Sequence, residues 1–194
     1  MSLDGDQHPV VTLFGDSISA GYGLSRCDAL PERLEAALSD LGVVSRVVGA
    51  GVDGDTTADG LRRLEWAIPA ETDLCVVALG ANDLMQGLPP QRIADTLDAI
   101  ITTIRARSVE VLLCGMRAPP WLDSYAQAFD AVFPAVAARH GVPLYPFLLD
   151  GVALDPRYNQ SDQIHPNAAG IQIIADGLAP AIRDALRART TVRP

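Results

Sequence analysis

The sequence is poor in the residues from which disulfide-braced or metal-dependent domains are built. Three cysteines, Cys27, Cys75 and Cys114, occur in 194 residues, and none stands in a Cys-x-x-Cys pair. An odd number without paired spacing argues against a disulfide framework or a zinc knuckle. Cys75 and Cys114 lie inside apolar runs and read as buried free thiols that fill the core. Histidine is equally scarce, with three copies and no His-Glu-x-x-His, so no metal or other cofactor is expected. Arg and Lys total 15 against 24 Asp and Glu, for a formal net charge of -9. Like charge opposes approach to nucleic acid or to an anionic membrane and leaves a neutral or acyl small molecule as the expected partner. No apolar run approaches the roughly 18 residues needed to cross a bilayer. The polar stretch 1–9 lacks the charged stub and apolar segment of a signal peptide, and reads as disordered or as an expression remnant. The chain as it stands is expected to be soluble, and to be cytoplasmic unless an export signal has been removed from it.

What is present is a regular alternation. With 48% hydrophobic and 20% charged residues, the composition suits one compact domain, placed at 10–190. Short runs rich in Val and Leu at 10–14, 43–48, 74–79 and 109–114, with a weaker one at 142–149, read as strands buried on both faces. Between them, apolar residues at helical spacing include Leu30, Leu34 and Leu38, then Ile93, Leu97, Ile100 and Ile104. Tyr125, Phe129, Phe133 and Val136 continue the pattern, and Ile171, Ile174, Leu178 and Ile182 complete it, with kinks expected at Pro134 and Pro180. Such an alternation predicts an α/β fold, a three-layer α/β/α sandwich around a parallel sheet. In open sheets of this kind ligands bind beyond the carboxyl ends of the strands.

Polar residues gather at those ends. The first strand runs into Gly15-Asp16-Ser17, the second into the turn Gly49-Ala50-Gly51-Val52-Asp53-Gly54, and the third into Gly80-Ala81-Asn82-Asp83. A serine or aspartate after a strand often does no more than cap the next helix, and an asparagine there often only holds a turn. His8 lies in the polar start and His140 at a helix end. His165 differs, because it stands in a short polar segment three residues after Asp162. That spacing lets the carboxylate accept from Nδ1 and leaves Nε2 free to take a proton from a hydroxyl. Gly49-x-Gly51-x-x-Gly54 also matches the dinucleotide-binding fingerprint, but the acidic residue at a suitable distance, Asp73, precedes its strand rather than ending it. A non-catalytic nucleotide- or anion-binding module at the first turn is a further alternative, although it leaves Asp162 and His165 without a role.

Taken in order, Gly15-Asp16-Ser17, Gly54-Asp55-Thr56, Gly80-x-Asn82-Asp83 and Asp162-x-x-His165 resemble the four blocks of the SGNH (GDSL-type) hydrolase superfamily. The stretches 14–23 and 164–167 are most similar to its bacterial thioesterase I, lysophospholipase L1 and arylesterase group. The resemblance implies a flavodoxin-like fold of about five parallel strands and a serine hydrolase acting on acyl esters or thioesters. It implies Ser17 as nucleophile, His165 as base, Asp162 as its orienter, and an oxyanion hole from the amides of Ser17 and Gly54 with the Asn82 side chain. Gly49 and Asp53 depart from the Asn and Ser often found in that second block, which bears on substrate preference. The mostly apolar loops 84–90 and 116–122 are candidate acyl-site walls, and Asp16, Leu84, Met116 and Trp121 are the candidate substrate contacts. A carbohydrate O-deacetylase of the same superfamily is the alternative activity.

Overall fold

A computed structural model describes residues 8–192; of the stretch 1–9 expected to be disordered or an expression remnant, residues 1–7 lie outside the described residues. Five parallel strands form one sheet in the order β2-β1-β3-β4-β5, with β1 Val10–Gly15, β2 Arg46–Gly51, β3 Leu74–Ala78, β4 Glu110–Cys114 and β5 Leu144–Tyr145. The helices are α1 Ser17–Ala20, α2 Leu30–Asp40, α3 Thr57–Ala67, α4 Ala81–Met85, α5 Pro90–Ala106, α6 Asp123–Asp130, α7 Val132–His140 and α8 Ala168–Val192. Helices α2 and α8 pack together on one face of the sheet, while α3, α5 and α7 cover the other. This is the expected α/β/α sandwich. The central strands β1 and β3 are buried along their whole length, as strands covered on both faces must be. Cys75 and Cys114 lie fully inside this core and burial pushes both thiols up, whereas Cys27 is exposed.

Three departures from the sequence reading have simple causes. The second strand begins and ends three residues later than expected, because it pairs with β1 from Val10↔Arg46 to Gly15↔Gly51. Val44 is left exposed ahead of the sheet. Gly49 and Gly51 therefore belong to the strand, not to a turn beyond it. A side chain at Gly51 would collide with the backbone of Asp16 and of the Ser19–Ala20 segment, so glycine is what lets β2 lie against α1. The last strand shrinks to Leu144–Tyr145 because Pro143 and Pro146 on either side have no amide to donate. The third helical pattern is two helices. Pro134 cannot donate to the carbonyl of Asp130, and α6 ends there, α7 starting at Val132.

Strand β2 is an edge of the sheet, where unpaired amides could recruit a strand from another chain. Glu35 of α2 accepts from the Val47 amide at 2.7 Å and Arg46 pairs with Glu71 at 2.7 Å, so this edge carries its own side-chain caps.

Candidate functional site

Ser17, Gly54 and Asn82 follow the carboxyl ends of β1, β2 and β3, so parallel pairing delivers them to one edge of the sheet. Asp16 caps the short helix α1, its Oδ1 accepting from the Ile18 amide at 3.1 Å, and holds Ser17 as the first helical residue. The capping role weighed for this serine or aspartate is thus filled by Asp16. Ser17 faces His165 across the site. Its Oγ lies 3.0 Å from His165 Nε2, and Asp162 Oδ2 lies 2.7 Å from His165 Nδ1. The other oxygen of Asp162 accepts from the amides of Ile164 at 2.9 Å and His165 at 3.0 Å. These bonds, the imidazole's first, hold the Asp162 carboxyl well below the usual range, at about 2. It is an anion throughout the physiological range, fixing the ring so that Nε2 is the nitrogen presented to the serine.

The loop bearing Asp162 and His165 is anchored on the side of Ser17. Gln160 Nε2 donates to the Tyr22 carbonyl at 2.8 Å, and the Tyr22 ring centroid lies 4.4 Å from that of His165. An isolated bridge between Asn159 and Pro166 closes the base of the loop. The three histidines separate as their contexts suggested. His8 is exposed at the start of the described chain, and His140 Nε2 lies 2.9 Å from Asp98 at the end of α7, distant in role from Ser17.

The turn after β2 and the helix after β3 are tied to each other. Asn82 Nδ2 donates to the Asp55 carbonyl at 2.9 Å, and the neighbouring Asp83 accepts from the Thr57 amide at 2.8 Å and hydroxyl at 2.7 Å. Gly54 has a φ of 78°, a conformation that favours glycine. Neither its amide nor that of Ser17 meets an acceptor among the described residues. Behind them lies Arg63, which sequence reasoning missed. Its Nε meets Asp55 at 2.5 Å, and its other two nitrogens donate to the carbonyls of Ala50 at 2.9 Å and Gly15 at 2.7 Å. The guanidinium also lies over Phe14, 4.5 Å from the ring centroid. One planar fork thus joins the ends of β1 and β2 to the turn carrying Gly54.

Ser17, Asn82 and His165 line a cavity of about 370 Å³. Asp16 and Leu84 are among its lining residues, and Met85 and Pro119–Pro120 supply wall from the two loops singled out in the sequence. Two expected contacts are corrected. Met116 is buried beside Gly80 and Phe133, because the chain leaving β4 turns that side chain into the core. Trp121 stands exposed outside the lining. The missed wall comes from the segment after β5, through Phe147, Leu149 and Leu154; its apolar character and place after a strand were the signal available. Asp16 has one oxygen buried without a partner, and burial pushes its carboxyl up to about 6.

Other arrangements are less suited to chemistry. A cleft of about 800 Å³ runs beside β2, but Arg26 there pairs with Glu32 at 2.8 Å and Glu35 is engaged with the Val47 amide. Asp73 accepts from the Val10 amide at 2.8 Å and pairs with Arg189 at 2.5 Å, at the opposite end of the strands from Ser17. The acid that a dinucleotide site would require is therefore committed to the fold. Among the described residues no three His, Cys, Asp or Glu side chains are grouped to hold a metal ion, and no helix is long and apolar enough to cross a membrane.

Comparison with known proteins places this geometry in context. Residues 13–173 match the GDSL-like lipase/acylhydrolase family. The chain is 37% identical to esterase TesA of Pseudomonas aeruginosa, over 89% of this chain and 87% of that one. It is 36% identical to the thioesterase 1/protease 1/lysophospholipase L1 of Escherichia coli, over 88% and 82% of the two. A crystal structure of TesA superposes with a TM-score of 0.85 at 35% identity, covering 91% of this chain and 99% of that one. AlinE4, described as an SGNH-hydrolase family esterase, superposes with a TM-score of 0.78 at 38% identity, covering 94% and 99%.

Proposed function

The chain belongs to the GDSL-like lipase/acylhydrolase family and is a carboxylic ester hydrolase of the SGNH type, and from that premise we propose that Ser17, His165 and Asp162 perform acyl transfer through an acyl-enzyme. The observation that carries this assignment is the continuous hydrogen-bonded row from Ser17 Oγ through His165 to Asp162, at 3.0 and 2.7 Å. A serine hydroxyl is a poor nucleophile until a base takes its proton. His165 Nε2 accepts that proton as Oγ attacks the acyl carbon, and the Asp162 anion stabilises the imidazolium that results. The carbonyl oxygen, now an anion, accepts from the amides of Ser17 and Gly54 and from the second N–H of the Asn82 side chain. His165 then returns its proton to the departing alcohol or thiol. A water activated by the same nitrogen attacks the acyl-enzyme, its proton passes to His165, and the acid is released with Ser17 restored. Residues 10–190 act as one catalytic domain.

The acyl group is the part of the substrate that the cavity fits. Leu84, Met85, Pro119, Phe147, Leu149 and Leu154 make its wall largely apolar, which favours chains longer than acetyl over the small acyl group of a carbohydrate deacetylase. Esters, thioesters and lysophospholipids share this acyl portion. The test is a series of p-nitrophenyl esters from C2 to C16, with an acyl-CoA and a lysophospholipid. A rise in kcat/KM from C2 to C8, with each buried methylene contributing about 0.8 kcal/mol or less, supports the reading. A marked preference for acetate would overturn it in favour of a deacetylase, and absence of labelling by a serine-directed phosphonate would remove the serine mechanism.

A further inference from the structure

The cavity opens through an apolar rim. Met85, Leu154 and Ile164 line it and stand exposed, Leu154 by 66% and Met85 by 58%. Trp121 and Leu122, exposed by 66% and 39%, follow directly on the lining residues Pro119 and Pro120. Tyr22, also exposed, has its ring centroid 4.4 Å from that of His165, a lining residue. Single exposed apolar residues are ordinary, but a contiguous set around one opening marks a surface that meets something apolar.

The backbone adds an independent observation. Leu154 has a φ of 62°, Gln163 before Ile164 a φ of 60°, and Asp123 after Leu122 a φ of 48°. The left-handed region is unfavourable for a residue with a side chain, and most of all for a bulky one. The strain at Leu154 serves no core packing, since that side chain is exposed, but it does hold the leucine at the rim. Charge narrows the choice of occupant. Arg117 lines the cavity, is exposed and lies over the Phe147 ring, with no ion-pair partner among the described residues. A free guanidinium beside an apolar collar complements a phosphodiester at the boundary between headgroup and acyl chains. The overall charge of -9 opposes an anionic surface and tolerates a zwitterionic one.

We propose that this rim docks on the surface of a zwitterionic phospholipid aggregate, so that an acyl chain passes from lipid into the cavity without crossing water. The inference rests on the esterase reading for its purpose, but the docking can be measured without turnover. In a Ser17→Ala background, with Trp66→Phe so that Trp121 is the remaining tryptophan, the full chain is titrated with phosphatidylcholine vesicles and followed by flotation and tryptophan emission. The expected result is co-flotation with a blue shift of Trp121, weakened at least about tenfold by Leu122→Glu, which sets a charge into the apolar boundary. Leu154→Gly, which relieves the backbone and so should fold, is expected to weaken it severalfold. Phosphatidylglycerol vesicles should bind less well than phosphatidylcholine. With Ser17 restored, Leu122→Glu should hydrolyse p-nitrophenyl butyrate at the parent rate. Failure to float with phosphatidylcholine, or equal flotation of parent and both variants, would overturn the proposal. So would a dimer in sedimentation equilibrium that Leu122→Glu dissociates, since the rim would then be an interface between copies. Vesicle binding by a protein whose Ser17 form hydrolyses no ester would bring down the esterase reading and leave the docking standing.

Discussion

The side-chain amide of Asn82 donates to the backbone carbonyl of Asp55 at 2.9 Å, so the helix after the third strand and the turn after the second hold each other before any substrate arrives. The amide has two N–H groups and this bond uses one of them. If the other stabilises the oxyanion, Asn82→Ala should lower kcat by about 10² to 10³ with little change in KM. Losing the structural bond should cost only about 1 kcal/mol in urea denaturation. Both quantities are to be read on one preparation. A destabilised variant that keeps most of its turnover would remove Asn82 from the oxyanion hole.

Ser17→Ala and His165→Ala should each lower kcat by several orders of magnitude while leaving the circular dichroism spectrum unchanged, and the double variant should be little worse than either single one. The reason is that the 3.0 Å contact between Ser17 and His165 makes each group idle without the other. Near-normal turnover in either single variant contradicts the assignment. Phosphonate labelling should vanish in Ser17→Ala and persist in part in Asn82→Ala.

Arg63→Met should leave the Asp55 carboxylate, 11% exposed, without its counter-charge, and the carbonyls of Ala50 and Gly15 without donors. Breaking a buried pair from one side costs about 3–5 kcal/mol. Stability in urea should fall by that order, and kcat should fall with it because the Gly54 turn loses its brace. Arg63→Lys should recover only part of either loss, since an ammonium cannot reproduce the three-way planar contact. Unchanged stability in Arg63→Met would show that the fork does not brace the turn.

Asp16 sets a pH dependence of opposite sign to that of an ordinary paired carboxylate. Its pKa is raised from 3.8 to about 6, chiefly by burial, with His165 as a favourable neighbour and Asp55 as an unfavourable one. Its contribution to stability is therefore fully present below the unfolded value and is lost as pH rises through about 6. Asp16→Asn cannot ionise. Relative to the parent it should gain about 3 kcal/mol between about pH 4 and about pH 8. Parallel stability profiles for the two proteins would show that Asp16 does not titrate in this range.

The parts of the molecule legible in the sequence were those set by local pattern. Strands β1, β3 and β4 are short apolar runs whose neighbours in space are equally apolar, so composition alone locates them. Asp162 and His165 could be paired by their spacing, because the bond between them closes within one turn of chain. Strand β2 was misplaced because its register is set by β1, a partner that the Val-rich run cannot reveal. Arg63, and the bond that Asp83 makes, were missed for a related reason. Arg63 acts on Gly15, 48 residues away, and Asp83 on Thr57, 26 residues away, and neither partnership leaves a trace in local spacing. Met116 and Trp121 show that an apolar loop announces burial without saying which of its side chains turn inward.

Asp162 and His165 share one loop, while Ser17 sits where β1 meets α1. If that loop swings, the bond between Asp162 and His165 travels with it, and the bond that breaks is the one to Ser17. Gln160 is the side chain that pins the loop to the Tyr22 carbonyl. Local openings of this kind require less energy than global unfolding. On warming, the enzyme should therefore fall silent while its sheet is still intact, and should recover fully when cooled from that interval.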